Sequence, residues 1–251
     1  MKRVYLSPLL FLAACGGPQP AKAPEKPPAP AYFKVDAATA ASLSGTVRFS
    51  GKKPARMPVD MSNDPACQQA HKGRVYDESE VVNPNGALAN VFIYVKTGLE
   101  GKAFEPPSTP VAIDQKGCWF TPRVIGIQVG QPLSVINSDP VTHNIHPMAQ
   151  INREWNHSQG AGDEPLARKF TKAEVLIRVK CNIHSWMHAF IGVTENPYYA
   201  VTDDKGAFTI PNLPPGEYTL EAVHEKLGTQ DQKITVTAKG AVTADFAFKG
   251  E

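Results

Sequence analysis

The sequence predicts an all-β protein built from β-sandwiches. Short segments in which apolar residues alternate with polar ones recur along the chain, and this period is that of a half-buried strand. The 251 residues include 23 prolines and 19 glycines, so these segments are separated by many turns. Hydrophobic residues make up 42% of the chain and charged residues 20%, values typical of a globular protein rather than a disordered one.

The charge of the chain argues against nucleic acid as a partner. The sequence has 26 basic and 24 acidic residues, a formal net charge of +2. Lys2 and Arg3 contribute two of the positive charges, and both lie in a leader that we expect to be removed. A neutral protein lacks the excess of basic residues that neutralises phosphates.

Residues 1–14 are predicted to be a lipoprotein signal peptide. A basic start is followed by an apolar run over residues 4–12, far short of the roughly 20 residues of a membrane-spanning helix. The sequence Leu-Ala-Ala-Cys that ends at Cys15 resembles the bacterial lipoprotein cleavage box, although an ordinary secretory signal is the alternative. The resemblance implies a lipid on Cys15 and, because Gly16 follows, an anchor in the outer membrane that faces the periplasm.

Residues 15–43 are predicted to be the lipidated cysteine and a tether rich in proline and alanine. Residues 16–31 contain almost no large apolar side chain, so they cannot bury enough surface to offset the entropy of ordering. The prolines make the tether a semi-extended spacer. The folded part is expected to begin between Tyr32 and Ser44.

A crowded group of histidines points to a metal. Five of the seven histidines lie between His143 and His188, together with Cys181 and Met187. A thiolate, two imidazoles and a thioether form the ligand set of a blue-copper site. The alternative is that Cys181 is a buried structural thiol and Met187 fills the core.

The surrounding periodicity predicts strands that bring these residues together. One strand, over Leu133, Val135 and Asn137, ends in a turn at residues 138–140, just before His143. A second strand presents four residues on one face: Val175, Ile177, Val179 and Cys181. The alternation resumes after the loop at Ala189, Ile191 and Val193, so the loops that carry the candidate ligands would converge at one end of a sandwich.

Residues 110–195 resemble a cupredoxin, with a short ligand loop of the amicyanin type. The motifs are His-Asn at residues 143–144 and Cys-x2-His-x2-Met at residues 181–187. The resemblance implies a Greek-key sandwich and one type 1 copper held by His143, Cys181, His184 and Met187. It also implies that Asn144 ties the two loops together by hydrogen bonds.

Other residues near these motifs have two interpretations each. Three histidines are surplus to a four-ligand site and would lie at the surface, next to the ligands, or in a second, weaker site: His146, His157 and His188. Four residues would form an apolar rim or belong to the core: Pro147, Met148, Trp186 and Phe190. With a rim, an exposed edge of His184 would be the place where a redox partner docks transiently.

Two cysteines remain once Cys15 is assigned to lipid and Cys181 to metal. Cys67 and Cys118 form an even pair in an oxidising compartment, and we expect a disulfide between them. The alternative is metal ligation, for which His71 lies close to Cys67 in sequence.

The C-terminal part is predicted to contain four strands, at residues 207–210, 217–224, 232–237 and 242–248. A Gly-x-Phe strand at Gly206 followed by Leu-Pro-x-Gly-x-Tyr resembles a carboxypeptidase-regulatory or transthyretin-like sandwich. The resemblance implies that residues 44–49 and 89–95 supply its opening strands. The predicted organisation is therefore a second, smaller β-sandwich formed by residues 44–98 and 197–251, with the cupredoxin domain, residues 99–196, between them.

The function that this resemblance implies is a membrane-anchored blue-copper protein that carries single electrons between periplasmic redox partners. The alternatives are a copper chaperone or reservoir, and an envelope adhesion or scaffold protein with a metal that has no redox role. An enzyme is not expected, because the sequence lacks a second cysteine near Cys181 for a binuclear centre and lacks the further histidine clusters of multicopper enzymes.

Overall fold

The computed structural model describes residues 31–250, and it confirms the all-β class. The predicted signal peptide, Cys15 and most of the predicted tether lie outside the described residues. Among the residues described, no helix is long and apolar enough to span a lipid bilayer.

Strands make up nearly all of the regular elements. In chain order the strands are β1 (Ala41–Ser50), β2 (Pro58–Val59), β3 (Val75–Tyr76), β4 (Phe92–Thr97), β5 (Val111–Gln115), β6 (Phe120–Thr121), β7 (Val124–Gln128), β8 (Pro132–Asn137), β9 (His143–Pro147), β10 (His157–Gln159), β11 (Leu166–Lys169), β12 (Glu174–Lys180), β13 (His188–Thr194), β14 (Tyr199–Val201), β15 (Ala207–Leu213), β16 (Gly216–His224), β17 (Gly228–Val236), β18 (Ala241–Thr243) and β19 (Phe246–Lys249). The helix α1 (Pro65–Gln69) lies between β2 and β3, and a 3-10 turn occupies Pro84–Gly86.

The first sandwich consists of a five-stranded sheet in the order β10-β9-β12-β13-β7 and a four-stranded sheet in the order β11-β8-β5-β6. The pairs β13 with β7 and β5 with β8 are parallel, and the others are antiparallel. Alternate residues of these strands point inward and form a continuous apolar core, which includes Ile113, Leu133, Val135, Ile145, Ile177, Val179 and Ile191. This packing fixes the strands that carry the candidate ligands.

The second sandwich combines strands from both ends of the chain. One sheet has the order β14-β4-β16-β17, and the other contains β15-β1-β18, with β19 also paired with β1. Strands from residues 41–50 and 92–97 therefore lie in the same sandwich as strands from residues 199–249. Its core includes Leu43, Val47, Ile93, Ile210, Leu220 and Phe248.

Aromatic rings fill the space between the two sandwiches. Phe92 packs with Val124 and Phe190 in a separate apolar cluster, to which Tyr199 also contributes. Gly126 and Gly192 are register partners on β7 and β13. A Cβ atom at either glycine would overlap the ring of Tyr199 or Phe92, so these two glycines give the aromatic layer a flat surface on the sheet.

The structure corrects the predicted end of the tether at residue 43. Ala41 and Leu43 are buried in β1, and Phe33 packs edge-on against Phe104. Apolar residues before position 44 therefore already belong to the core of the second sandwich. Leu99 and Phe104 lie in the same core, so the predicted domain boundary at residue 99 falls too early.

A second correction concerns residues 57–77, which were predicted within the second sandwich. This segment contains β2, α1 and β3, and we call it the cap. Met61 and Cys67 of the cap are buried in the core of the first sandwich. The cap therefore packs against the sandwich that carries the histidine cluster.

A β-bulge corrects the predicted face of β12. Leu176 has a positive φ of 52°, and the pairing with β13 shifts register between Glu174 and Ile177. An extra residue at a bulge reverses the alternation that precedes it. Val175 consequently packs against the aromatic layer, whereas Ile177, Val179 and Cys181 face the core, as predicted.

Two predicted strands of the second sandwich also differ in extent. The strand expected over residues 89–95 is β4, which starts later because Asn90 adopts a φ of 63°. The strand expected over residues 242–248 is divided into β18 and β19. Between them the Asp245 Oδ1 accepts hydrogen bonds from the backbone N–H and the hydroxyl of Thr46, at 2.7 and 2.8 Å, in place of the regular ladder.

A buried ion pair joins the two sandwiches. Arg123 Nε and Nη2 donate to the two carboxylate oxygens of Glu225, at 2.7 and 3.0 Å. The two side chains are only 3% and 8% exposed. Burial raises the pKa of Glu225, and the bonds from Arg123 act against that rise.

We predict that Arg123→Ala lowers the free energy of unfolding by about 3–5 kcal/mol, because it leaves the buried carboxylate of Glu225 without a partner. Urea denaturation at pH 7 measures this loss. Lys34→Ala is the matched control, since it breaks an exposed ion pair with Glu105 and is expected to change stability little. Equal losses in the two variants would contradict a special role for the buried pair.

Acid is predicted to destabilise the fold through His224, which is buried and accepts hydrogen bonds at Nδ1 from the N–H groups of Lys226 and Leu227. Burial lowers the pKa of His224 to about 4. Between pH 6.5 and 4 the unfolded chain therefore binds a proton that the folded chain does not, so stability falls as the pH falls. We expect a loss of about 2 kcal/mol from this residue by pH 4.5.

The test variant is His224→Gln, which keeps an acceptor but does not titrate. Urea denaturation between pH 7.5 and 4.5 should show a smaller loss of stability in this variant than in the wild type. An unchanged pH dependence would refute the assignment.

Candidate metal centre

Two neighbouring strands and one tight turn position the candidate ligands. His143 begins β9 and Cys181 directly follows β12, which pairs with β9 through Lys180 and His146. His184 lies in the turn between β12 and β13. The turn is closed by a hydrogen bond from Cys181 N to Met187 O, at 3.0 Å, and by one from Met187 N to His184 O, at 3.0 Å.

Three donor atoms converge at this end of the sandwich. The distance from His143 Nδ1 to His184 Nδ1 is 3.0 Å, and that from Cys181 Sγ to His184 Nδ1 is 3.8 Å. One ligand atom from each of the three residues lies within 4.8 Å of the other two, and all three residues are buried. The structure therefore brings together a thiol and two imidazoles that are separated by up to 41 residues in the chain.

A carboxylate holds the outer nitrogen of each imidazole. His143 Nε2 lies 2.8 Å from Asp139 Oδ2, and His184 Nε2 lies 3.0 Å from Asp64 Oδ2. Asp139 also accepts hydrogen bonds from the N–H groups of Gly117 and Cys118, both at 2.7 Å. Carboxylates that accept from ligand imidazoles orient the rings and fix their tautomer.

This arrangement leaves two lone pairs facing each other. A carboxylate oxygen only accepts, so each ring holds a proton on Nε2, and a neutral ring held in this way carries a lone pair on Nδ1. Burial lowers the pKa of His143, although Asp139 acts against that shift. Two lone pairs 3.0 Å apart repel unless a cation lies between them. A shared proton would satisfy the two nitrogens, but it would not use the sulfur beside them, whereas a metal ion uses all three atoms.

The sulfur of Cys181 has the surroundings of a thiolate ligand. The backbone N–H groups of Asn144, Ile183 and His184 each point at Sγ over 3.4 Å. Such donors stabilise negative charge on sulfur, the form that binds a metal. Among the residues described, Cys181 is also the one free cysteine.

Met187 and Asn144 lie beside these three residues. Met187 is fully buried in the core cluster that also contains Cys181. Asn144 joins the two ligand segments, because its Oδ1 accepts from Asn182 N at 3.2 Å and its Nδ2 donates to His157 O at 3.2 Å and to Asn156 Oδ1. The donor set therefore suits a single copper ion, with Met187 predicted as the axial ligand.

The expected exposed edge of His184 is wrong. The residue is buried, because the cap covers the ring with Asp64 and with Cys67 Sγ, which lies 3.7 Å from Nε2. The ring of Trp186 lies 5.2 Å away on another side. Of the four predicted rim residues, Pro147 and Phe190 are buried and Trp186 is half-buried, whereas Met148 is 39% exposed.

The surplus histidines lie outside this cluster. His146 contacts Glu154 and, more weakly, Asn182. His157 is on β10, opposite Ile145, and His188 is on β13, opposite Lys180. Within residues 31–250, none of the three belongs to a group of three close potential ligands, so no second metal site is seen there.

Cys67 and Cys118 form a disulfide, and it lies against both supporting carboxylates. Asp64 is the N-cap of the short helix that contains Cys67, and its Oδ1 accepts from Ala66 N and Cys67 N at 3.0 and 3.2 Å. Cys118 N donates to Asp139. His71 is not a metal ligand here, since its Nε2 contacts the carbonyl oxygen of Gly117 at 2.7 Å.

Sequence reasoning missed Asp64 and Asp139. Each precedes a proline, a signal for a turn or a helix start, and Asp139 lies four residues before His143. Nothing in the spacing connects Asp64 with His184, which follows it by 120 residues.

Comparison with known proteins supports the second resemblance directly. Residues 188–249 match the carboxypeptidase regulatory-like domain. The match covers about a quarter of the chain, begins in β13 of the first sandwich, and omits the strands contributed by residues 41–50 and 92–97. No curated protein gave a significant match.

The solved structures that resemble the chain include cupredoxins. A purple cupredoxin from Nitrosopumilus maritimus is 20% identical, with a TM-score of 0.29, and the match covers 34% of this chain and 99% of that protein. A mutant of amicyanin is 17% identical, with a TM-score of 0.31 and coverage of 41% and 98%. A copper-containing nitrite reductase from Thermus scotoductus SA-01 is 26% identical, with a TM-score of 0.33, and the match covers 40% of this chain but only 25% of the reductase.

We predict that Asn144→Ala weakens copper binding about 10- to 100-fold, since it removes the link between the ligand segments. The free energy of unfolding should also fall by about 1–3 kcal/mol, because Asn182 N loses its acceptor. Chelator competition and urea denaturation measure the two effects. Asn182→Ala keeps the backbone donor and serves as the control; equal effects in both variants would show that the link is unimportant.

Proposed function

We propose that this protein is a type 1 copper protein that transfers single electrons between redox partners in the bacterial envelope. The observation that carries the proposal is the convergence of His143 Nδ1, His184 Nδ1 and Cys181 Sγ, with each outer imidazole nitrogen held by a carboxylate. Copper bound there would accept and donate one electron.

The donor set favours copper over zinc. A structural zinc site is closed by four cysteine or histidine ligands, whereas this cluster offers one thiol and two imidazoles in a buried pocket. A buried methionine belongs to the same core, and a thioether suits copper.

Hydrogen bonds from the rest of the chain hold the candidate ligands in place. Hydrogen bonds fix both imidazole rings, the sulfur and the turn at residues 181–187. Ligands that are already fixed move little when the charge on the metal changes, which favours rapid electron transfer. A chaperone that releases copper would need a more open and mobile site, so this geometry favours the electron carrier.

A redox partner would dock over Asp64 rather than against the imidazole edge. The side chain of Asp64 is 26% exposed, whereas that of His184 is 4% exposed. The hydrogen-bonded pair of these two residues therefore connects the buried donor atoms with the surface.

We place the lipid anchor at Cys15 and the protein at the outer membrane, facing the periplasm, and we propose a role without catalysis of its own.

The test is the absorption and EPR spectrum of the full chain loaded with Cu(II), beside Cys181→Ser. We expect an intense blue thiolate-to-copper band with narrow hyperfine splitting, which the variant abolishes. His146→Ala is the matched control, because that histidine lies outside the cluster, and it should keep the band.

The same samples separate the alternatives. Repeated reduction and reoxidation without loss of the band supports an electron carrier, whereas release of copper on reduction supports a chaperone. A pale spectrum that Cys181→Ser leaves unchanged would mean binding by histidine alone and would overturn the proposal.

A further inference from the structure

The cap does more than cover the first sandwich. Its residue Asp64 uses one carboxylate oxygen to cap α1 and the other to hold His184 Nε2. The conformation of the cap and the orientation of a candidate metal ligand are therefore fixed by one side chain. An ordinary helix cap would need only the first of these bonds.

We propose that the cap is a clamp on the metal, with Asp64 as the positioning residue for His184 and the Cys67–Cys118 disulfide as its lock. The proposal rests on the proposed function in that the metal is taken to be copper. It goes further by assigning to residues 57–77 control over how fast the metal leaves.

The disulfide attaches this part of the cap covalently to the first sandwich. The helix α1 has only five residues, and β2 and β3 pair over two residues each, so neither element is stable by itself. Cys67 is fully buried in the helix and is bonded to Cys118 in the turn before β6. Trp186 Nε1 also donates to Cys118 O at 3.1 Å, which connects the ligand turn with the same disulfide.

The cap lies on the side from which a metal would leave. His143 and Cys181 are held by β9 and β12 inside the sandwich, whereas His184 lies in the turn outside the strands. Next to it, Ile183 is 53% exposed, so the outer surface of this turn is open to solvent. For His184 to swing away from the metal, the bond from Nε2 to Asp64 must break and the contact with Cys67 must be lost.

We test the clamp on the full chain loaded with Cu(II), by following the loss of the blue band after addition of excess EDTA. Asp64→Asn keeps an oxygen for the helix cap but replaces the acceptor of His184 Nε2–H with a neutral amide. We expect metal loss at least about tenfold faster. The reduction potential should also rise, because a neutral group stabilises Cu(II) less than a carboxylate does.

The disulfide is tested with Cys67→Ser/Cys118→Ser rather than by reduction, since free thiols beside His184 and His143 would themselves bind copper. This variant should also lose copper at least about tenfold faster. Adding Asp64→Asn to it should accelerate the loss little further, because both changes open one clamp. Asp60→Asn is the matched control: Asp60 is in the cap and accepts a hydrogen bond from Ser62 N, at 2.9 Å, away from the candidate ligands. The loss rate of this variant should stay within about twofold of the wild type.

The outcomes separate this inference from the proposed function. If the wild-type chain shows no blue band, the proposed function fails. If the band is present and Asp64→Asn changes neither the loss rate nor the potential, the clamp is overturned. Circular dichroism verifies folding, and should the double serine variant not fold, Asp64→Asn decides alone.

Discussion

The rest of the candidate site depends on one contact, in which His143 Nδ1 and His184 Nδ1 face each other over 3.0 Å. Neutral imidazole rings adopt that arrangement only if an acceptor fixes the proton of each ring on Nε2 and a cation lies between the two Nδ1 atoms. The two carboxylates meet the first requirement. Each carboxylate must in turn be held, and backbone N–H groups hold both of them: those at Gly117 and Cys118 for Asp139, and those at Ala66 and Cys67 for Asp64.

The sandwich supplies the rigidity that these bonds need. β9 and β12 are adjacent and antiparallel, so His143 and Cys181 come to the same end of one sheet without a long loop. Asn144 then fixes the register of the two segments beyond the last ladder pair. The bulge at Leu176 also contributes, since it lets the first residues of β12 pack on the aromatic layer while Ile177 and Val179 face the core of the first sandwich. One strand thereby serves both the inner core and the contact between the sandwiches.

The sequence predicts the all-β class and the strands around the candidate ligands well, because strand alternation and turn residues are local signals. The convergence of His143, Cys181 and His184 also follows from strand ends at one edge of a sandwich. Asp64, the cap and the pair of Arg123 with Glu225 could not be predicted in this way. Their partners lie 102 residues or more away, and a single aspartate or arginine has no periodicity to distinguish it from a solvated charge. The predicted exposure of His184 failed for the same reason, since the segment that covers it has no strong secondary-structure pattern.

The disulfide bears on the metal chemistry itself as well as on the cap. Cys67 lies with Asp64 and His184, and Cys118 lies with Asp139 and His143, as further groups whose ligand atoms are close enough to hold an ion. If these cysteines were thiols, each would offer a soft sulfur next to one of the same two histidines, and a metal could bind in several ways. Oxidation removes both thiols and leaves Cys181 as the free cysteine of residues 31–250. An oxidising environment is where such a disulfide persists, so the attachment of the cap and the selection of one sulfur ligand depend on the same chemical step.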